Sequence, residues 1–186
     1  ADEIGIELDG AAINEVIDEL KRLEHEGYHF EAADASLELL MRRAAGQVPE
    51  FFRVESMRVI TDEHPGGDFS TEAPVKVWVG EDDAAERRVW VSEGNAPVNA
   101  NDTALRQAVG TMLPQLADIH LTDYKVRILD GASATGSTTR VLLSATDGER
   151  DWTTIGVSPN IIEASWRALE DSLVYGLLHR SLRAGS

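Results

Sequence analysis

His25, Glu26 and His29 stand in the spacing HExxH, as HEGYH at 25–29. On a continuous helix that spacing puts two imidazoles on one face as zinc ligands, with the glutamate as general base. Here Gly27 sits between the histidines, where a first helix runs out, and no third ligand is evident. The pattern therefore reads as a helix-end turn with solvated side chains. GASATGSTTR at 131–140 is rich in small residues but lacks the lysine of a phosphate-binding loop, so it reads as a hairpin connection. EDDAAE at 81–86 lacks the spacing of a calcium loop and reads as a solvated turn. Two other places repeat each other: Gly94-x-x-Pro97 and Gly156-x-x-Pro159, an offset of 62 residues. Each puts a proline at the expected first position of a helix, with Ser158 as the cap of the second. The N–H groups of Val98, Asn99, Asn160 and Ile161 would then be turned toward an anion such as a carboxylate. Ordinary helix capping is the competing reading.

These openings need elements to hold them. Ile13, Val16, Ile17, Leu20 and Leu23 recur at helical spacing, with Gly27 as the stop. Phe30, Ala33, Leu37, Leu40, Met41 and Ala44 repeat the pattern up to Gly46. Both stripes are narrow, so the two helices require a partner surface and form no domain alone. From Gln47 the period changes to two. FFRVESMRVI at 51–60 is strand-like, Val75, Val77 and Val79 alternate with Lys76 and Trp78, and Val89 and Val91 alternate with Arg88 and Trp90. A helix follows from Pro97. The order then recurs: a strand around Tyr124, Val126 and Ile128, RVLLSA at 140–145, the turn dipeptide Asp147-Gly148, a strand from Trp152 to Val157, and a last helix carrying Ile162, Trp166, Leu169 and Leu173. The expected fold is α+β: two βββα units over 47–186, preceded by a short two-helix linker over 1–46.

The bulk numbers exclude several functions. The 186 residues are 42% hydrophobic, enough for one core or one domain and an appendage. Seventeen basic against 33 acidic residues give a formal charge of −16, which repels nucleic-acid backbones and anionic membranes. There is no cysteine, hence no disulfide, thiolate metal site or cysteine nucleophile. No apolar run approaches a membrane span, and ADEIGIELDG lacks the basic flank and apolar stretch of a signal peptide. A start at Ala1 reads as a piece of something longer.

Several stretches resemble the citramalate synthases, relatives of 2-isopropylmalate synthase. KRLEHEGYHFEAADASLELLMRR at 21–43 resembles the linker behind their catalytic barrel. FFRVESMRVITDE at 51–63, EAPVKVWVG at 72–80, EGNAPVNANDTALRQAV at 93–109, DYKVRILDG at 123–131, and the run from Thr138 to Leu178 containing DWTTIGVSPNIIEASWRAL resemble their regulatory domain. The resemblance implies a homodimer in the cytoplasm that binds an end-product amino acid, isoleucine, and restrains its own catalytic barrel in isoleucine biosynthesis. It implies an effector site lined by Val98, Asn99, Leu121, Asp123, Tyr124, Ile128, Val157, Ser158 and Pro159. The barrel's metal-dependent condensation of acetyl-CoA with a 2-oxo acid has no motif here. No catalytic residue, metal ligand or cofactor is therefore expected in this chain, which should be inactive by itself. Two positions depart from the family pattern: Ala96 stands where a glycine is usual, and Asn101 where an apolar residue is usual. A leucine-sensing domain of a 2-isopropylmalate synthase, or a dimerising module without an effector site, remain the alternatives.

Overall fold

The structure, a computed structural model, describes residues 1, 4–80, 84–129 and 137–184. Residues 131–136 of the small-residue loop and 81–83 of the acidic turn noted above fall outside these residues. The chain forms two compact units, a smaller one of residues 50–118 and a larger one of 1–49 with 119–186.

The smaller unit is built on β3 (Phe69–Val79), whose Ala73, Val75, Val77 and Val79 are buried while their neighbours are half-exposed. β4 (Glu86–Gly94) pairs antiparallel along one edge. Along the other lie β1 (Phe52–Met57) and β2 (Ile60–Glu63) in succession. The sequence reads these two as one strand, and Pro74 explains the break. Its carbonyl accepts from the Arg58 N–H at 3.0 Å, so its missing N–H is on that same edge and the ladder lapses there. Helix α3 (Pro97–Val109) covers β3 and β4 with Ala100, Ala104, Leu105 and Ala108.

The larger unit repeats the plan. β5 (His120–Ile128), β6 (Thr139–Thr146) and β7 (Asp151–Ser158) form an antiparallel meander in that order. Helix α4 (Ile161–Ala184) packs on β6 and β7, burying Ala164, Ala168, Leu169 and Leu173 over Val141, Leu143 and Ala145. The fold is thus the expected α+β arrangement of two βββα units behind two helices.

Those helices find their partner surface on the opposite face of this second sheet. α1 (Gly10–Glu26) ends at Gly27, whose φ of +107° is the left-handed cap, so the helix stops between His25 and His29. A short 3₁₀ turn places Phe30 and Ala33 against Ile155 and Val157, with Leu20, Leu23 and Tyr28 packed around them. α2 (Asp34–Ala44) then runs beside β7. Among the described residues β7 pairs with β6 alone, and two of its other N–H groups are met by α2 side chains. Asp34 Oδ1 accepts from Thr153 at 3.1 Å, and Ser36 Oγ from Ile155 at 3.0 Å. Side chains rather than another strand close this edge, a device that blocks edge-to-edge pairing.

Candidate functional site

The two repeated helix openings differ in how their free donors are handled. At α3, Ala96 is the cap and offers no side-chain acceptor, and Pro97 opens the helix as expected. Gly94 lies tightly against this turn: a Cβ there would sit 2.7 Å from the Ala100 nitrogen. At α4 the expected cap is corrected. The helix starts at Ile161, and Asn160 caps it, its Oδ1 accepting from the Ile162 N–H at 2.9 Å. Pro159 is therefore outside the helix. Ser158 acts one step earlier, its Oγ accepting from Asn160 N–H at 3.0 Å and donating to Glu163 Oε2 at 2.6 Å. Both residues are good cap formers, and the longer Asn side chain reaches the second turn position. The Asn160 donor foreseen for an anion is occupied by Ser158.

Register settles which of the other residues share a face. Leu121, Tyr124 and Ile128 oppose Ala145, Leu143 and Thr139, and Ser158 also opposes Thr139, so all four belong to the α4 side of the sheet. α4 leaves β5 uncovered there: Tyr124, Val126 and Ile128 are 41%, 41% and 63% exposed. The Tyr124 hydroxyl meets Ser165 Oγ at 2.8 Å, and Ser165 donates to the Ile161 carbonyl at 2.6 Å, which ties β5 to the first turn of α4. Val157 lies on the other face, 4% exposed in the cluster with Phe30 and Ala33. Asp123 follows it there, opposite Ser144, and is paired with Lys125 at 2.6 Å, which holds its carboxyl below the ordinary range. Pro159 is exposed, and Val98 and Asn99 begin α3 in the smaller unit. The structure thus brings together Leu121, Tyr124, Ile128 and Ser158, and puts Val157 and Asp123 on the far side of the same sheet.

Two βββα units behind a helix pair narrow the choice of family, and comparison decides it. Residues 31–177 match the LeuA allosteric (dimerisation) domain. The chain belongs to this family. An (R)-citramalate synthase from Streptomyces coelicolor is 50% identical over 179 residues, covering 95% of this chain and 33% of that protein. One from Synechocystis is 47% identical over 184 residues, with 95% and 33% covered. One from Aquifex aeolicus is 45% identical over 179 residues, with the same coverage. The chain spans about a third of the length of these curated relatives.

The LeuA domain holds its helix pair with a buried polar cluster that sequence reading missed. Glu38 on α2 is 8% exposed and accepts from Arg42 Nε at 2.6 Å, Tyr175 Oη at 3.1 Å and His179 Nε2 at 3.0 Å. An ionised carboxylate only accepts, so His179 Nε2 is the donor to Glu38, and the Arg150 guanidinium lies against His179 Nδ1. Beside it, Asp171 accepts from Arg43 at 2.7 Å and Ser36 at 3.2 Å, although burial pushes its carboxyl up. The partners are more than a hundred residues apart in sequence. The one local signal is the Glu38–Arg42 pair at helical spacing.

Asn101 is the second departure from pattern. It is 2% exposed on α3, and its Oδ1 has no hydrogen-bond partner among the described residues. A buried orphan acceptor costs about 1–3 kcal/mol. Asn101→Leu, which suits an apolar core position, is expected to raise stability by about 1–2 kcal/mol in urea melts. A fall of similar size would mean that the amide has a partner.

Proposed function

We propose that this chain is the regulatory part of a citramalate synthase: a homodimeric module that binds isoleucine and restrains a condensation of acetyl-CoA with a 2-oxo acid carried out elsewhere in the protein. The observation that carries the reading is the 50% identity, across 95% of the chain, to a protein named (R)-citramalate synthase. The condensation chemistry and its divalent metal are assigned to the remaining two thirds of such a protein. Among the described residues no three His, Asp or Glu side chains gather as a metal-binding group, and no helix is long and apolar enough to cross a membrane.

The proposed effector surface is the uncovered α4 side of β5. Leu121, Tyr124 and Ile128 would receive the alkyl group, and the start of α4 beside Ser158 the charged end. Burying a branched four-carbon side chain contributes about 1.5–3 kcal/mol. Exposed Val126 on the same face supports an oligomer, because a bare apolar row on an edge strand favours a cover. An effector regulates only if it binds one state of the protein better than another.

Isoleucine is expected to raise the thermal midpoint of the chain, since a ligand of the folded state stabilises it by mass action, about 2.7 kcal/mol at a hundred times Kd. Leucine should act less and alanine least. Tyr124→Ala should weaken the isoleucine shift. Val157→Asp is a poor probe of this surface because it would disturb the packing of the helix pair. Calorimetry on protein whose dimeric state is first fixed by light scattering gives the test. No heat with either branched amino acid at millimolar concentration would rule the reading out; stronger leucine than isoleucine binding would favour a 2-isopropylmalate synthase instead. The reading as a dimerising module without effector draws on the orphan amide of Asn101 and the occupied Asn160 donor, and predicts no binding by a well-folded dimer.

A further inference from the structure

On the face of the larger unit's sheet away from α4, the 3₁₀ turn after α1 overhangs β5 and β6. Between them is a recess of about 350 Å³ lined by His29, Ala32, Lys125, Arg127, Arg140 and Leu142, with Val126. Its chemistry runs against the rest of the chain. In a protein with formal charge −16, three permanent cations gather here. Arg127 and Arg140 stand directly opposite each other on neighbouring strands. Like charges in that position destabilise a sheet. Burial and the charge of Arg127 both push the Arg140 guanidinium down.

The members of the cluster are not equally committed to the fold. Arg140 Nε donates to the Gly27 carbonyl at 2.7 Å, joined by Nη2, which secures the end of α1. Lys125 is paired with Asp123 at 2.6 Å, and His29 lies 3.4 Å from Glu31. Arg127 has no acidic partner among the described residues, and the charge it stands opposite is the like charge of Arg140. Arg127 is exposed and stands directly opposite another arginine, and none of the described acidic residues, in a chain that has 33, forms an ion pair with it.

We propose that this recess binds a small dianion, a dicarboxylate or a phosphate, with Arg127 as its principal ligand and Arg140 as the second. The guanidinium fork matches a carboxylate or phosphate edge with two parallel hydrogen bonds. One anion between the two arginines turns their mutual repulsion into two attractions. Ala32, Leu142 and the arginine stems make the walls apolar, which strengthens the ion contacts and leaves room for a few carbons. A long polyanion is repelled by the acidic remainder of the surface, so the ligand is a small molecule. The site is separate from the β5 surface proposed for the amino acid, and its occupancy would bear on the junction between α1 and the sheet through Arg140 and Gly27.

The test is calorimetry on the 186-residue chain with malonate, inorganic phosphate and acetate, ionic strength held constant with sodium chloride. At least one dianion is expected to bind, and acetate about tenfold more weakly or not at all. Arg127→Gln should weaken the dianion about tenfold, while Lys21→Gln, which removes one exposed cation from α1, should leave it unchanged. Malonate alone binding identifies a dicarboxylate site, phosphate alone a phosphate site, and both a general dianion site. In the wild type the bound anion should also shift the Nε–H resonances of Arg127 and Arg140, a readout that needs no variant. The proposal is overturned if neither dianion binds at millimolar concentration, if those resonances do not move, or if Arg127→Gln and Lys21→Gln weaken binding equally.

Discussion

Gly156→Ala is expected to destabilise the larger unit by about 3 kcal/mol, lowering its melting midpoint by roughly 10 °C. A Cβ at Gly156 would lie 1.9 Å from the Ala164 carbonyl oxygen, 2.9 Å from its carbon and 3.0 Å from the Ala168 nitrogen. All three are backbone atoms of α4, so no rotamer change relieves the clash, and the helix must lift from β7. That motion opens the contact of Ala164 and Ala168 with the sheet and costs dispersion along its length. Gly148→Ala is the control: its φ is +86° but nothing lies within 4 Å, so only backbone strain of about 1–2 kcal/mol is added. Thermal melts followed by circular dichroism separate the two. If Gly156→Ala melts no lower than Gly148→Ala, the close approach of α4 to β7 is wrong.

Glu38→Ala is expected to cost about 3–5 kcal/mol, because in a buried place it leaves the Arg42 charge without its ion-pair partner and the Tyr175 hydroxyl and the His179 N–H without their acceptor. The effect carries a pH signature. Burial raises the Glu38 carboxyl, but hydrogen bonds from His179, Arg42 and Tyr175 outweigh it and hold it at about 2, below its ordinary 4.5. A depressed acid contributes stability that is complete above pH 4.5 and is lost as pH falls toward about 2. Burial, together with the same glutamate, pushes Tyr175 up to about 12. Glu170 and Asp171, both raised by burial, act in the opposite sense. The quantity to measure is therefore the difference between wild type and Glu38→Gln in urea melts from pH 6 to pH 3. That difference should shrink with acid, and a difference that stays constant would contradict the assignment.

The strands of the two units are legible in the sequence because Val75, Val77 and Val79, and later Val141 and Leu143, keep a strict period of two over one buried face. What is not legible is whatever a second element decides. The break between β1 and β2 belongs to Pro74, a residue of the neighbouring strand. The start of α4 turns on a competition between two adjacent cap formers, Ser158 and Asn160, which propensity alone leaves nearly equal. Alternation fixes that Val157 and Ser158 point to opposite faces, but not that linker helices occupy one of them. Resemblance supplied a set of site residues with no sense of side, and so joined Val157 and Asp123 to Tyr124. The helix docking is hidden for a different reason: Asp34, Ser36 and Glu38 meet partners that only the completed fold brings near.

The side-chain closure of β7 also dictates an order of events during synthesis. Asp34 and Ser36 leave the ribosome 119 residues ahead of Thr153 and Ile155, and Glu38 precedes Tyr175 by 137. The smaller unit lies wholly within that interval and can complete its own sheet while the helix pair still waits with its apolar stripe in water. Such late, distant closures are slow, because a long loop must be ordered before any contact rewards it. Until β7 has been made, the apolar residues of α1 and of the turn after it lack their partners Ile155 and Val157.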